Sequence, residues 1–240
     1  MSGLSVKAAL WYALLVLFLL SGCTTITHTG WEDYGLKSEV RQVTVKMFQA
    51  EYDPSSGTEF AHFQEAEEVL FTDYGREKEM RLLDDQMNLY AKFVKEYNRR
   101  GANTSIKKLD TEGEVISNIV YTEFDEDGRT PLKATAYDSD GRVSHTSEFQ
   151  DQGDGVMIHL NYLEDQVERI TYHRDENGHL IRSELHVQMV GENGEWQLLL
   201  IDEYTYTEFD ARGNWTRAVN SHRTDYDMKR YKLERTIVYY

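Results

Sequence analysis

Phe124-Asp125-Glu126-Asp127-Gly128, Tyr137-Asp138-Ser139-Asp140-Gly141 and Phe209-Asp210-Ala211-Arg212-Gly213 are three copies of one phrase: an aromatic residue, Asp, two polar residues, Gly. Looser copies stand at Phe71–Gly75, Tyr97–Gly101, Leu109–Gly113 and Phe149–Gly153, and the frame survives without its glycine at Leu83–Met87 and Tyr162–Gln166. From Phe71 the leading residues fall at 71, 83, 97, 109, 124, 137, 149 and 162, always 12 to 15 residues apart. Such a period reads as repetition of one supersecondary unit. Asp or Asn at the head of a turn accepts a hydrogen bond from the backbone two residues on. Gly supplies the positive φ where a hairpin loop rejoins its strand. Asp125, Gly128, Asp138, Gly141, Asp210 and Gly213 are therefore assigned structural turn roles, and the leading aromatic is expected to end each strand.

Between turns the period is two. Val156, Ile158, Leu160 and Tyr162 alternate with Met157, His159 and Asn161, and Leu185, Val187 and Met189 alternate with His186 and Gln188. Alternation of this kind predicts strands with one buried face, here Val156–Tyr162 and Leu185–Met189. Residues 85–97 fit helical spacing too, but a turn phrase at each end makes them a strand. Trp196–Ile201 is apolar at nearly every position and is expected as a central strand or as the place where the sheet folds over. The predicted fold is all-β: a single-domain, large antiparallel meander of about 10–14 strands, twisted and curled, because open sheets of that size rarely stay flat.

The amino terminus carries a different signal. Ala8 to Leu20 is an unbroken apolar run of thirteen residues behind Lys7, followed by Ser21-Gly22-Cys23. A helix of that length spans about 20 Å, short of the roughly 30 Å of bilayer hydrocarbon. The segment therefore reads as a signal peptide and not as a membrane span. Leu20-Ser21-Gly22-Cys23 resembles the lipobox of bacterial lipoproteins, which implies cleavage before Cys23 and acylation of its sulfur, and so a signal peptide over 1–22, a lipidated tether over 23–37 and the repeat domain over 38–240. Cys23 is the only cysteine of the chain, so a disulfide role within it has no partner. By the same resemblance, Thr24 in place of Asp after the cysteine implies the outer membrane, and no acidic surface-export cluster follows, which favours the periplasmic face.

Removing residues 1–22 takes away one charged side chain, Lys7, and moves the formal net charge from −16 to −17. So acidic a chain disfavours nucleic acid as a partner, whose binding depends on Lys and Arg, and keeps a tethered domain soluble. At its turns the chain resembles the YD-repeat (RHS-like) proteins, and more closely the small repeat lipoproteins of Bacteroidota, which often end in a phrase like Phe209-Asp210-Ala211-Arg212-Gly213-Asn214-Trp215-Thr216-Arg217. The resemblance covers roughly residues 71–240. It implies a β-repeat fold in the cell envelope and no particular activity, since the chain is far too short to enclose a cargo as the large members do.

No nucleophile elbow, zinc helix, paired-cysteine motif or phosphate loop is present in the sequence, and no catalytic, cofactor-binding or metal residue is assigned. Ser105-Ile106-Lys107-Lys108 matches Ser-x-x-Lys but sits in a polar strand. His145, His159, His173 and His186 read as solvent-facing strand residues. The acidic turns read as hairpin chemistry, not calcium sites, because Arg129 and Arg142 follow the glycines. The stripe that includes Tyr121, Phe149, Tyr162, Tyr172, Tyr204 and Phe209 reads as cross-strand packing. The expected function is a non-enzymatic, envelope-anchored module that binds or scaffolds another protein. A glycan-binding module is the alternative, and an envelope hydrolase the third reading. The membrane contact is the lipid on Cys23, and the partner is an unnamed envelope protein or glycan.

Overall fold

The computed structural model describes residues 34–53, 58–190 and 194–240, so the lipobox and Cys23 lie outside the described residues. Fourteen strands follow in chain order: β1 Val40–Asp53, β2 Thr58–Phe71, β3 Glu77–Leu83, β4 Leu89–Tyr97, β5 Asn103–Leu109, β6 Val115–Phe124 and β7 Pro131–Asp138. The second half holds β8 Val143–Gly153, β9 Val156–Tyr162, β10 Gln166–Arg174, β11 Leu180–Met189, β12 Gln197–Phe209, β13 Trp215–Thr224 and β14 Met228–Tyr239. Each strand pairs antiparallel with the next, and β14 pairs with β1 in a register that sets Ile237 opposite Val43 and Leu233 opposite Met47. The expected curled meander is thus corrected to a closed barrel. Closure removes both free edges, whose unpaired backbone groups would otherwise invite association.

The turn phrases end strands where they were expected at Phe71, Leu83, Tyr97, Leu109, Phe124, Tyr162 and Phe209. At Asp138 one carboxylate oxygen accepts from the amides of Asp140 and Arg142, Asp210 serves its own turn in the same way, and Asp125 accepts from the amides of Arg129 and Thr130. Gly128, Gly141 and Gly213 hold φ of 65°, 76° and 80°. One phrase misleads. Phe149 is interior and mid-strand, β8 runs on to Gly153, and the turn is made by Asp154 and Gly155, both at positive φ. A further turn, Asp175–Gly178, has the same carboxylate bonds but follows Arg174 and so lacks the aromatic signal.

Inside and outside alternate along every strand, but not always as hydropathy suggests. On β9 the buried set is Met157, His159 and Asn161, while Ile158 and Leu160 face outward and are half-buried. The expected face is inverted, because Asn161 finds partners inside: it accepts from Ser147 and donates to Glu168. On β11 Leu185 and Val187 do point in, and Met189 is exposed. Trp196 precedes β12, and the sheet does not fold over there. Leu200 enters the core and Ile201 is covered on the outer wall between Glu184 and Arg223.

One apolar cluster joins interior residues from β1 to β14, including Val43, Met80, Phe93, Ile170, Tyr172 and Leu233. Ile170 and Tyr172 are 1% and 2% exposed. Barrels of 16–18 strands usually enclose an aqueous channel, whereas side chains fill this one.

The chain enters at what we term the near end, which carries the connectors 72–76, 98–102, 125–130, 154–155, 175–179 and 210–214. Residues before β1 close it. Leu36 joins the core, Tyr34 packs edge-on against Phe71, and Asn214 both accepts from the Lys37 amide and donates to its carbonyl. Tyr34, inside the stretch read as tether, is thus in contact with the barrel.

Candidate functional site

The strand period brings an unexpected set of charges into the interior. Glu65 and Glu67 share a face of β2 with Val69 and Phe71, and Lys95 shares a face of β4 with Ala91 and Phe93. The Lys95 ammonium reaches Oε2 of Glu77 at 2.7 Å with both side chains buried. The same oxygen accepts from the Tyr34 hydroxyl at 2.8 Å, and the Tyr97 hydroxyl donates to the Glu77 carbonyl. Glu67 lies among these groups. Burial pushes its carboxyl up to about 8, with the Glu77 charge adding to the effect and Lys95 opposing it. Burial raises Glu65 to about 7, although the Tyr90 hydroxyl donates to it at 3.1 Å. Arg235, from β14, completes the group. Its guanidinium lies 4.5 Å over the Trp215 ring, donates to the Tyr34 carbonyl, and is brought down to about 10 by burial.

Two smaller polar groups stand elsewhere inside the barrel. Asp202 accepts from Asn220 and lies 3.0 Å from the His222 ring nitrogen. His159 stacks on Phe149 with centroids 4.5 Å apart, and burial drops its imidazole to about 3, so it is neutral near pH 7. This corrects the solvent-facing reading of His159. His145 also points in, opposite Ala136, whereas His173 and His186 sit on the outer wall, so the four do not converge. Among the described residues no group of three or more His, Cys, Asp or Glu could hold a metal ion.

Glu65 and Glu67 leave one strand face at backbone positions roughly 7 Å apart, an arrangement that a general acid and base could use. Here the pair is part of an ion network, and Glu67 and Glu77 are buried, so substrate does not reach them in this form. The network's signal was present in the sequence as the shared parity of Glu65 and Glu67 with Val69 and Phe71. Ser105 and Lys108 fall on opposite faces. The Ser105 hydroxyl donates to Glu96 outside, and Lys108 faces Phe93 inside, where burial brings its ammonium to about 8. Of the aromatic stripe, Tyr121, Phe149, Tyr172 and Tyr204 are interior and Phe209 is half-exposed, so the stripe offers no continuous platform for sugar.

The outer wall is where charge is displayed. Arg81 bridges Glu68 at 3.0 Å and Glu79 at 2.6 Å, and Lys92 lies 3.7 Å from Glu79. Lys133 meets Glu123, Arg182 meets Glu184 and Glu203, and Arg217 meets Glu208. A lipid-facing barrel needs an apolar band, and an Arg or Lys at the bilayer midplane costs about 2–4 kcal/mol. Arg81, Lys92 and Arg169 stand near the middles of their strands, where such a band would lie.

No protein-family model matches the chain, and no curated protein matches it in sequence. Among solved structures it is similar to a porin-like protein from Bacteroides uniformis ATCC 8492, with a TM-score of 0.51 and 10% identity, over 84% of this chain and 98% of that one. At that identity the likeness is one of fold, and the fold is a closed antiparallel β-barrel.

Proposed function

We propose that the protein is an outer-membrane lipoprotein, held by acyl groups on Cys23, whose barrel stands outside the bilayer and serves as a protein-binding or scaffolding module. One observation carries this reading: the wall is built of paired charges around an interior filled with side chains. Such a barrel displays charge where a lipid-facing wall would be apolar, packs side chains into its interior, and meets its surroundings through its surface. Two or more acyl chains on one cysteine suffice for stable anchoring, where one holds only marginally.

Cys23→Ser tests the anchor. The wild-type protein is expected in the detergent phase of a two-phase extraction and the variant in the aqueous phase. Detergent partitioning of the variant equal to wild type refutes the anchored reading. Proximity labelling from the full-length lipidated protein in the envelope then tests the binding role, and a label pattern identical to that of an unrelated lipoprotein counts against it.

A further inference from the structure

The two ends of the barrel are built differently. At the near end the connectors are stitched to one another. The Arg100 guanidinium donates to the Asp127 carbonyl, Arg76 lies over the Tyr97 ring, and Arg212 lies 3.7 Å over the Tyr239 ring. The described residues of those connectors carry eight carboxylates against five arginines. Among the described residues, the far end carries the connectors 84–88, 110–114, 139–142, 163–165, 194–196 and 225–227, with eleven carboxylates against Arg142 alone, besides the β1–β2 hairpin. Lys229, at the head of β14, lies 3.9 Å from Asp227 and offsets one of them.

The far end also displays apolar side chains. Phe60, Met87, Val115, Val143, Val190 and Tyr226 come from six of its seven hairpins, and all are exposed. Tyr226 is 98% exposed and its neighbour Met228 70%. Single exposed apolar residues are ordinary, and the near end exposes Tyr74, Leu132, Ile181 and Phe209 too, but at the far end they stand on six hairpins beside carboxylates that few cations offset.

We propose that this far rim is a docking surface for a basic protein segment with apolar side chains, which seats the latter on these hairpins while its Lys and Arg meet the carboxylates. The assignment rests on the envelope-anchored reading for its orientation. Tyr34 lies at the near end, eleven residues from Cys23, so the anchor draws that end toward the membrane and leaves the far rim pointing away. A second copy is disfavoured as the occupant, because two such rims facing one another bring like charges together. An anionic bilayer is disfavoured by the same charge and by the position of the tether. A cationic partner is steered to the rim, and its association should weaken steeply with salt.

The full-length lipidated protein in nanodiscs, offered a Lys/Leu amphipathic peptide, tests the chemistry. Val190→Ser with Tyr226→Ser and Met228→Ser is expected to weaken binding at least tenfold, and raising salt from 50 to 300 mM to do the same. Tyr74→Ser with Leu132→Ser, exposed positions of the near end, should leave binding within twofold. Equal losses from the two sets, or no loss from the rim set, overturn the proposal. In cells, a photo-crosslinking residue at position 226 should join a protein through a basic segment, and one at position 74 should not. Adducts from 226 to lipid or to a second copy also overturn it. If Cys23→Ser leaves partitioning unchanged, the anchored reading fails, while the peptide comparison still decides the rim chemistry.

Discussion

Replacing Glu67 by glutamine keeps its shape and removes its ionisation, which isolates the one interior carboxyl that burial raises furthest among those with a resolved value. Its value of about 8 in the fold, against 4.5 for an ordinary glutamate, means that the folded state holds a proton the unfolded chain has released. The resulting stability is fully present below pH 4.5 and is lost as pH rises through 8. Over the whole window this is at most about 5 kcal/mol, a balance that already includes the opposing charges of Lys95 and Arg235. Between pH 6.5 and 8.0 the single site should lose on the order of 1–2 kcal/mol. Urea unfolding of the full chain, followed by tryptophan fluorescence at both pH values, reads this directly. The wild type should lose on the order of 1–2 kcal/mol more than Glu67→Gln over that interval, and the variant should be the more stable protein at pH 8. Parallel pH slopes in the two proteins would refute a neutral, buried Glu67.

Three other outcomes follow from the same geometry. Lys95→Met strands the buried Glu77 carboxylate and should cost about 3–5 kcal/mol, with partial recovery when Glu77→Gln is added; equilibrium denaturation of the three proteins checks it, and no recovery counts against the pair as the cause. Gly141→Ala adds a methyl into open space at φ 76°, whereas at Gly155 the methyl meets the Arg174 carbonyl oxygen at 2.8 Å. The first should lower stability by about 1 kcal/mol and the second by clearly more, as melting temperatures would show. His159, held neutral at about 3, contributes stability that is present above pH 6.5 and lost as pH falls toward 3. His159→Phe should therefore flatten the acid limb of the stability curve, and an unchanged limb measured by circular dichroism would contradict a neutral His159.

The sequence by itself determined the units and their punctuation. Asp138 bonds the amides of residues two and four positions on, so everything the turn needs lies within five residues, and an aromatic-Asp-x-x-Gly phrase is legible wherever it stands. Strand ends at Leu83, Tyr97 and Phe124 could be read for that reason, and the turn after Arg174 was missed because its strand ends without the aromatic. Closure was not legible. The pairing of Val43 with Ile237 joins residues from opposite ends of the domain, and its gain is the removal of two free edges, which no local pattern records. Nor could alternation alone tell inside from outside. A period of two sorts Ile158 from His159, but only the neighbours supplied by the closed wall decide which is buried. Phe149 stacks on His159, Ser147 and Glu168 bond Asn161, and Lys95 pairs with Glu77. Polar side chains enter this interior because tertiary structure supplies their partners there, and hydropathy, which scores each residue against water, has no term for that.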